Sequence, residues 1–211
     1  MTIPAVAGRR PYSLLAVDLL WYVWLAPGAP MIPPDSPEPS RDFMHDLNRE
    51  LEEVRFDRLT RLLYSTDASI YQMVPLGVAF PRDADQAAAA VSIAARHRVP
   101  ILPRGSGSSL DGQAVGHALV LDFTRHMDRV LEIDLEGRRV RAQPGITLGL
   151  LNKQLRRHGL MYGPDPASAE RATMGGVLGN NSTGAHSVVY GMTVDHTLDC
   201  EAVLADGSRA R

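Results

Sequence analysis

The sequence predicts an α+β fold, in which a small parallel β-α-β unit precedes a mixed or antiparallel sheet with flanking helices. Two observations support this prediction. An alanine-rich helical pattern at 83–95 lies between two short apolar runs, 77–80 and 99–102, that have strand character. Two later strand patterns, 130–134 and 139–143, are separated by only a few residues, as in an antiparallel hairpin. Because strands joined by a helix form right-handed parallel crossovers, the first three patterns make one unit.

The remaining elements follow from caps and periodicity. Asp83 is suited to cap the alanine-rich helix, with Gln86 three residues later. Beyond the parallel unit we expect a strand at 118–123, a helix capped by Thr147 and ended by Gly159, and a strand at 197–204 that runs into a turn at 206–207. An amphipathic helical lead-in at 42–63, as one helix or two, precedes the main domain at 64–211.

Composition limits the classes of function. With 211 residues, 45% of them hydrophobic, the chain can bury one domain or one and a half. Lys and Arg number 22 and Asp and Glu 24, so the net charge offers no general attraction for nucleic acid, and we expect no nucleic acid partner. Cys200 is the single cysteine, and no Cys/His spacing suits zinc or an iron–sulfur cluster. We therefore expect no metal site and a cytoplasmic location, with peripheral contact to a membrane left open.

The N-terminal residues 1–41 are expected to be a disordered leader and linker. An apolar stretch at 14–26 follows two arginines and resembles an export signal, but Asp18 interrupts it and it is too short to span a bilayer. An export signal and an upstream start codon, with Met31 or Met44 as the natural beginning, both remain open. We expect no transmembrane span in the chain.

A loop rich in glycine and serine, residues 103–113, directly follows the second strand. Glycine permits positive φ and close backbone approach, so successive N–H groups can converge on phosphate oxygens. Serine hydroxyls and Arg104 would add further donors. The loop therefore indicates an anion cradle, and the alternative is a flexible surface loop.

Two familiar nucleotide motifs do not fit this loop. A P-loop needs Lys and then Ser or Thr after its second glycine, and neither follows here. A nicotinamide fingerprint needs Gly-x-Gly-x-x-Gly, whereas after Gly105 and Gly107 the next glycine is Gly112.

A second loop, residues 163–184, combines many small and polar residues with few hydrophobic ones. Such a segment would make a poor core and a good bed for a large, flat, polar cofactor. Gly175 and Gly176 allow close backbone approach, and the polar run 180–183 supplies hydrogen-bonding side chains.

Several motifs in chain order resemble the FAD-binding domain of the vanillyl-alcohol oxidase superfamily, which is also called PCMH-type. They are residues 103–113, 143–145, 163–166, 172–184 and 190–207. Within the superfamily the chain is most similar to the glycolate oxidase and D-lactate dehydrogenase group. The segment 63–78 also resembles the start of this domain in long members that carry an iron–sulfur region, so the resemblance runs from about residue 63 to the end.

The resemblance implies FAD as cofactor, with its pyrophosphate on the first loop and the rest of the flavin cleft formed by the second. Ser108 stands where covalent members have a histidine, so we expect FAD without a covalent link. The implied cofactor-binding residues are Pro103, Arg104, Gly105, Ser106, Gly107, Ser108, Ser109, Gly112, Gln113, Gly145, Pro164, Asp165, Ala172, Thr173, Gly175, Gly176, Gly179, Asn180, Asn181, Ser182, Gly184 and Gly191.

The resemblance also implies an activity, namely oxidation of a 2-hydroxy acid of the D-lactate or glycolate type, with electrons passing to an iron–sulfur, quinone or cytochrome acceptor. That acceptor would lie on a C-terminal region or a partner subunit. We expect the domain to be C-terminally incomplete and inactive alone, and we assign no catalytic residue. The alternative is a non-catalytic FAD-binding fragment or subunit that needs a separate substrate domain. The histidines are expected to be structural, and only His186, which lies in the flavin stretch, merits a mutant.

Overall fold

The computed structural model describes residues 38–211 and gives them an α+β architecture with three small sheets. The largest sheet has four strands in the order β1-β2-β4-β3. Its members are β1 Val54–Arg55, β2 Gly77–Ala79, β3 Ile101–Arg104 and β4 Leu119–Asp122. Most of the predicted leader, residues 1–37, lies outside the described residues. Between residues 38 and 211, no helix has the length and apolar character needed to cross a bilayer.

The helical lead-in consists of two helices with a strand between them. Helix α1 spans Arg41–Glu50 and helix α2 spans Arg58–Leu63. Residues Val54–Arg55, expected to be helical, form β1 and pair antiparallel with β2, so they cover its free edge. Phe43 and Leu47 of α1 are fully buried in the same core cluster as helix α3, Ala84–His97. The lead-in therefore completes the first core, and a division of the chain at residue 64 stays a prediction.

The predicted β-α-β unit is present as β2, α3 and β3. Asp83 caps α3 by accepting a hydrogen bond from the Gln86 amide at 2.8 Å. The sequence pattern placed the strand at 118–123 beyond this unit, but β4 lies inside it and pairs in parallel with both β2 and β3. Every residue of β4 is buried, as expected for a central strand covered on both faces.

The second half of the chain surrounds a separate core. The predicted hairpin is β5 Val130–Asp134 and β6 Arg139–Ala142, and the helix capped by Thr147 is α4 Leu148–Leu155. A 3-10 turn follows α4 and ends at Gly159, whose φ is 70°. Short helices α5 Met174–Gly179 and α6 Ser187–Tyr190 come next. The strand expected at 197–204 is reduced to β7 Ala202–Val203, which pairs with β8 Arg209–Ala210 across the predicted turn.

Candidate functional site

The two predicted loops face each other across one groove of about 360 Å³. The first wall follows β3, and the second wall comprises the residues before, within and after α5. Gly107 of the first wall and Gly176 of the second both line the groove. The predicted residues that line it are Pro103, Gly105, Ser106, Gly107, Ser108, Ser109, Gln113, Ala172, Thr173, Gly176, Gly179, Asn180 and Ser182.

The first wall presents main-chain donors. Within residues 38–211, the backbone N–H groups of residues 105–109 make no hydrogen bond to a protein acceptor. Gly107 has a φ of 70°, the left-handed conformation that reverses the chain, and its carbonyl accepts a hydrogen bond from the Ala68 amide at 2.9 Å. Unpaired amides in successive residues are the kind of donor that binds anions with several oxygens.

The walls touch at the base of the groove. A Cβ atom on Gly105 would collide with the Thr173 hydroxyl oxygen, so only glycine allows this approach. The Ser106 hydroxyl donates to the carbonyl oxygen of Arg171. The spacing of the walls is therefore fixed by direct contact.

In the second wall, by contrast, backbone amides donate hydrogen bonds to protein acceptors. The Met174 amide donates to Ile146 at 2.8 Å, and the Gly175 amide donates to Pro144 at 2.9 Å. Thr173 caps α5, with its hydroxyl accepting a hydrogen bond from the Gly176 amide at 3.4 Å. What this wall offers to a ligand is the side chains of Asn180 and Ser182, which line the groove.

Arg104 is placed differently from the sequence expectation. Its side chain is 7% exposed and does not line the groove. The guanidinium donates to the carbonyl oxygens of Tyr64 at 3.2 Å, Thr66 at 2.7 Å and Ala114 at 2.6 Å. Because three carbonyls already hold the guanidinium, it acts beneath the loop and does not reach the ligand space.

A buried polar cluster surrounds this guanidinium. It lies 5.2 Å from the ring centre of Tyr64, whose hydroxyl donates to Asp122 at 2.5 Å. Burial lowers the pKa of the Arg104 guanidinium, while Tyr64, Asp122 and Asp67 oppose that shift. Burial raises the pKa of the Tyr64 hydroxyl well above its usual range, and the Asp122 carboxylate adds to this effect. The Tyr64 hydroxyl therefore keeps its proton.

Several predicted glycines support the walls without lining the groove. A Cβ on Gly145 would collide with the carbonyl oxygen of Phe123, and one on Gly184 with that of Asp165. These glycines are needed for backbone packing, and contact with a ligand is not required to explain them. The predicted residues outside the groove lining are Arg104, Gly112, Gly145, Pro164, Asp165, Gly175, Asn181, Gly184 and Gly191.

Three lining residues were missing from the sequence prediction. Leu102 and Ala114 flank the first loop on either side, and an extension of the motif by one residue at each end would have included them. Ser168 lies between the two predicted segments of the second loop, where its carbonyl accepts hydrogen bonds from the Arg171 and Ala172 amides. Its residue type carries no signal that would single it out.

Several histidines contact other groups of the protein. His126 contacts Glu53 at 3.0 Å, and His196 contacts the Tyr190 carbonyl at 2.9 Å. His186 lies 3.5 Å from the Asp165 carboxylate, and both side chains are nearly half exposed. No histidine lines the groove. Between residues 38 and 211, no group of three His, Cys, Asp or Glu side chains is arranged to hold a metal.

Comparison with known proteins agrees with this geometry. A family model described as an FAD binding domain matches residues 75–211. The D-2-hydroxyglutarate dehydrogenase of Pseudomonas putida is 39% identical over 160 residues, which is 74% of this chain and 16% of that protein. The glycolate oxidase subunit GlcD of Bacillus subtilis is 43% identical over 155 residues, which is 72% of this chain and 33% of that subunit.

The fold is also found in a solved structure, that of p-cresol methylhydroxylase with substrate bound. The TM-score is 0.66 at 20% sequence identity, and the match covers 81% of this chain and 34% of that one. The present chain thus spans 16% and 33% of the two relatives' lengths. Because the family model matches more than half of the chain, the chain belongs to the FAD-binding domain family, and its fold is like that of p-cresol methylhydroxylase.

Proposed function

We propose that the groove binds FAD with the pyrophosphate against the first wall and the remainder of the flavin cleft formed by the second. The unpaired backbone amides of residues 105–109 carry this proposal, because these residues line the groove and two phosphate groups would satisfy their amides. Asn180 and Ser182 on the opposite wall supply side-chain hydrogen bonds. FAD, when bound, supplies the two-electron acceptor.

The linkage to FAD is non-covalent in this proposal. The groove is lined by glycine, serine, alanine and other uncharged residues, with no histidine or cysteine among them. Ser108 lines the groove at the position where covalent members of the superfamily carry a histidine. A serine hydroxyl is a weak nucleophile without an adjacent base, and no base lines this groove.

The reaction that we assign to the whole protein is oxidation of a 2-hydroxy acid. The names of the relatives, D-2-hydroxyglutarate dehydrogenase and glycolate oxidase subunit, support this substrate class. Removing hydride from an alcohol carbon also requires a base for the hydroxyl proton. Among the described residues no titratable side chain lines the groove, and we propose that the base comes from polypeptide outside residues 38–211. The electron acceptor, an iron–sulfur centre, a quinone or a cytochrome, would also lie on a C-terminal region or a partner subunit.

A second candidate is a non-catalytic FAD-binding subunit or fragment whose cleft is completed by a separate substrate domain. Exposed apolar side chains beside the second wall favour it. Val188 is 96% exposed, Val189 77% and Val194 60%. The Val194 amide donates to the Asn181 side chain at 2.9 Å, which attaches Val194 to the second wall. Exposed apolar side chains are suited to contact another polypeptide.

The first test is spectroscopic. The purified chain is mixed with FAD, filtered, and examined for a protein-bound flavin absorbance spectrum. We expect bound but readily lost FAD, because the proposed linkage is non-covalent. A chain that shows no flavin binding by titration calorimetry would contradict the proposal.

The second test separates the two candidates. Dye reduction is measured with D-lactate, glycolate and D-2-hydroxyglutarate as substrates. We expect no turnover by the 211-residue chain alone. Turnover that appears only when a substrate domain is added in a separate chain would support the subunit candidate. Substantial turnover without any addition would refute the need for an external base.

A further inference from the structure

We propose that Arg104 is a positioning residue for the cofactor pyrophosphate. Its guanidinium clamps the two ends of the first loop and keeps a positive charge directly beneath the amides of residues 105–109. This inference rests on the proposed function and assigns to Arg104 a role other than that of a direct ligand.

The clamp closes the loop. Arg104 is the last residue of β3, where the loop begins, and Ala114 directly follows the loop. The Arg104 Nη1 atom donates to the Ala114 carbonyl oxygen at 2.6 Å, so one side chain joins the two ends of the loop. A closed loop loses less freedom on binding than an open one, so its amides are preorganised for the ligand.

The same guanidinium ties the loop to a neighbouring segment. It donates to the carbonyl oxygens of Tyr64 and Thr66. Two further bonds continue this attachment, from the Ala68 amide to the Gly107 carbonyl at 2.9 Å and from the Ala114 amide to the Asp67 carboxylate at 3.3 Å. Hydrogen exchange of the Ala68 and Ala114 amides therefore reports whether the loop is bonded to residues 64–68.

The charge of Arg104 is adjacent to the cradle. A Cβ atom on Gly107 would lie 2.5 Å from the Nη2 atom of Arg104, so the guanidinium packs directly under this residue. Arg104 is 7% exposed, so solvent has little access to its charge. Solvent and salt screen such a charge less than one at the surface. An anion on the amides of the loop would therefore be stabilised from below.

The experiment compares Arg104→Lys and Arg104→Met with the wild-type chain. Lysine keeps the charge but lacks the planar fork that reaches three carbonyls, and methionine removes both. We expect the amides of Ala68 and Ala114 to exchange hydrogen at least about tenfold faster in both variants, and FAD affinity to fall at least about tenfold, more in Arg104→Met. Riboflavin, which lacks the pyrophosphate, should bind all three proteins equally.

Arg125→Met is the matched control. Arg125 also packs over an aromatic ring, that of Phe80 at 5.0 Å, and pairs with a carboxylate, but it does not touch the loop. We expect wild-type exchange at Ala68 and Ala114 and wild-type FAD affinity in this variant.

Two results would overturn the proposal. One is wild-type exchange and FAD affinity in Arg104→Lys. The other is an equal loss of amide protection at Ala68, Ala114 and throughout β2 and β4, which would make Arg104 a general stabilising residue. If the wild-type chain bound no FAD, the proposed function would fail, whereas the exchange rates would still decide whether Arg104 clamps the loop.

Discussion

The two walls of the groove are built in opposite ways. In the first wall the backbone amides of residues 105–109 are left unpaired, and the buried side chain of Arg104 holds the loop in shape. In the second wall the amides around α5 bond to other protein carbonyls, and the exposed Asn180 side chain faces the groove. When backbone amides are left free for a ligand, a side chain has to hold the loop in shape. When backbone amides hold the loop in shape, side chains have to bind the ligand.

The largest loss of stability is expected at Gly184, where the backbone is too closely packed for a side chain. In Gly184→Ala the new Cβ would collide with the carbonyl oxygens of Asp165 and Pro164, which are backbone atoms that cannot rotate away. We expect a loss of about 1–3 kcal/mol in the free energy of unfolding. Thermal unfolding measures it, with Gly116→Ala as control, because the nearest atom there would be 3.7 Å away. Equal melting temperatures for the two variants would contradict this account of the wall.

A smaller effect is expected from a side chain that lines the groove. Asn180→Ala should weaken FAD binding roughly three- to tenfold, the cost of about one hydrogen bond, with little change in stability. The adjacent Asn181 has a φ of 44° and accepts a hydrogen bond from the Val194 amide, so Asn181→Ala should lower stability instead. Titration calorimetry and thermal unfolding together separate the two. If Asn181→Ala weakened FAD binding more than Asn180→Ala, the assignment of side-chain contacts would be wrong.

The smallest effect is expected from the Glu53 carboxylate, which lies outside the groove and contacts charged side chains. Burial raises the pKa of the Glu53 carboxyl, but the hydrogen bond to His126 and the charges of Arg125 and Arg55 outweigh it, so the pKa lies below its ordinary value of 4.5. The stability that this carboxylate contributes is therefore present above 4.5 and is lost as the pH falls through the lower, folded-state value.

Glu53→Gln tests this charge. We expect it to lower the melting temperature at neutral pH by roughly 2–4 °C, and the difference from wild type to shrink below pH 4.5. Because Glu53 does not line the groove, the same variant should leave FAD affinity unchanged. A difference in melting temperature that grows as the solution is acidified would contradict the sign of the pKa shift.

Local features of the fold were predictable, and sheet order was not. The caps at Asp83 and Thr147 depend on a few adjacent residues, and both are as expected. The insertion of β4 between β2 and β3 depends on packing between distant segments. The apolar run at 118–121 was the available signal for a central strand. The strand Val54–Arg55 is likewise set by its partner β2 and not by its own helical periodicity.

The candidate site divides in the same way. Glycine-rich spacing indicated which segments meet at the groove, because small residues and close backbone approach go together. It could not indicate the direction of the Arg104 side chain, since the carbonyls that hold it belong partly to Tyr64 and Thr66, far earlier in the chain. Gly145 and Gly184 are similar cases, in which a glycine beside a ligand site serves the packing of the backbone.

The most direct test of the two-wall account is an amide NMR titration of the wild-type chain with FAD. We predict that the amide resonances of residues 105–109 shift downfield as they acquire phosphate acceptors, while the Met174 and Gly175 amides, already bonded to protein carbonyls, change little. FAD binding that leaves the amides of residues 105–109 unperturbed would contradict the account.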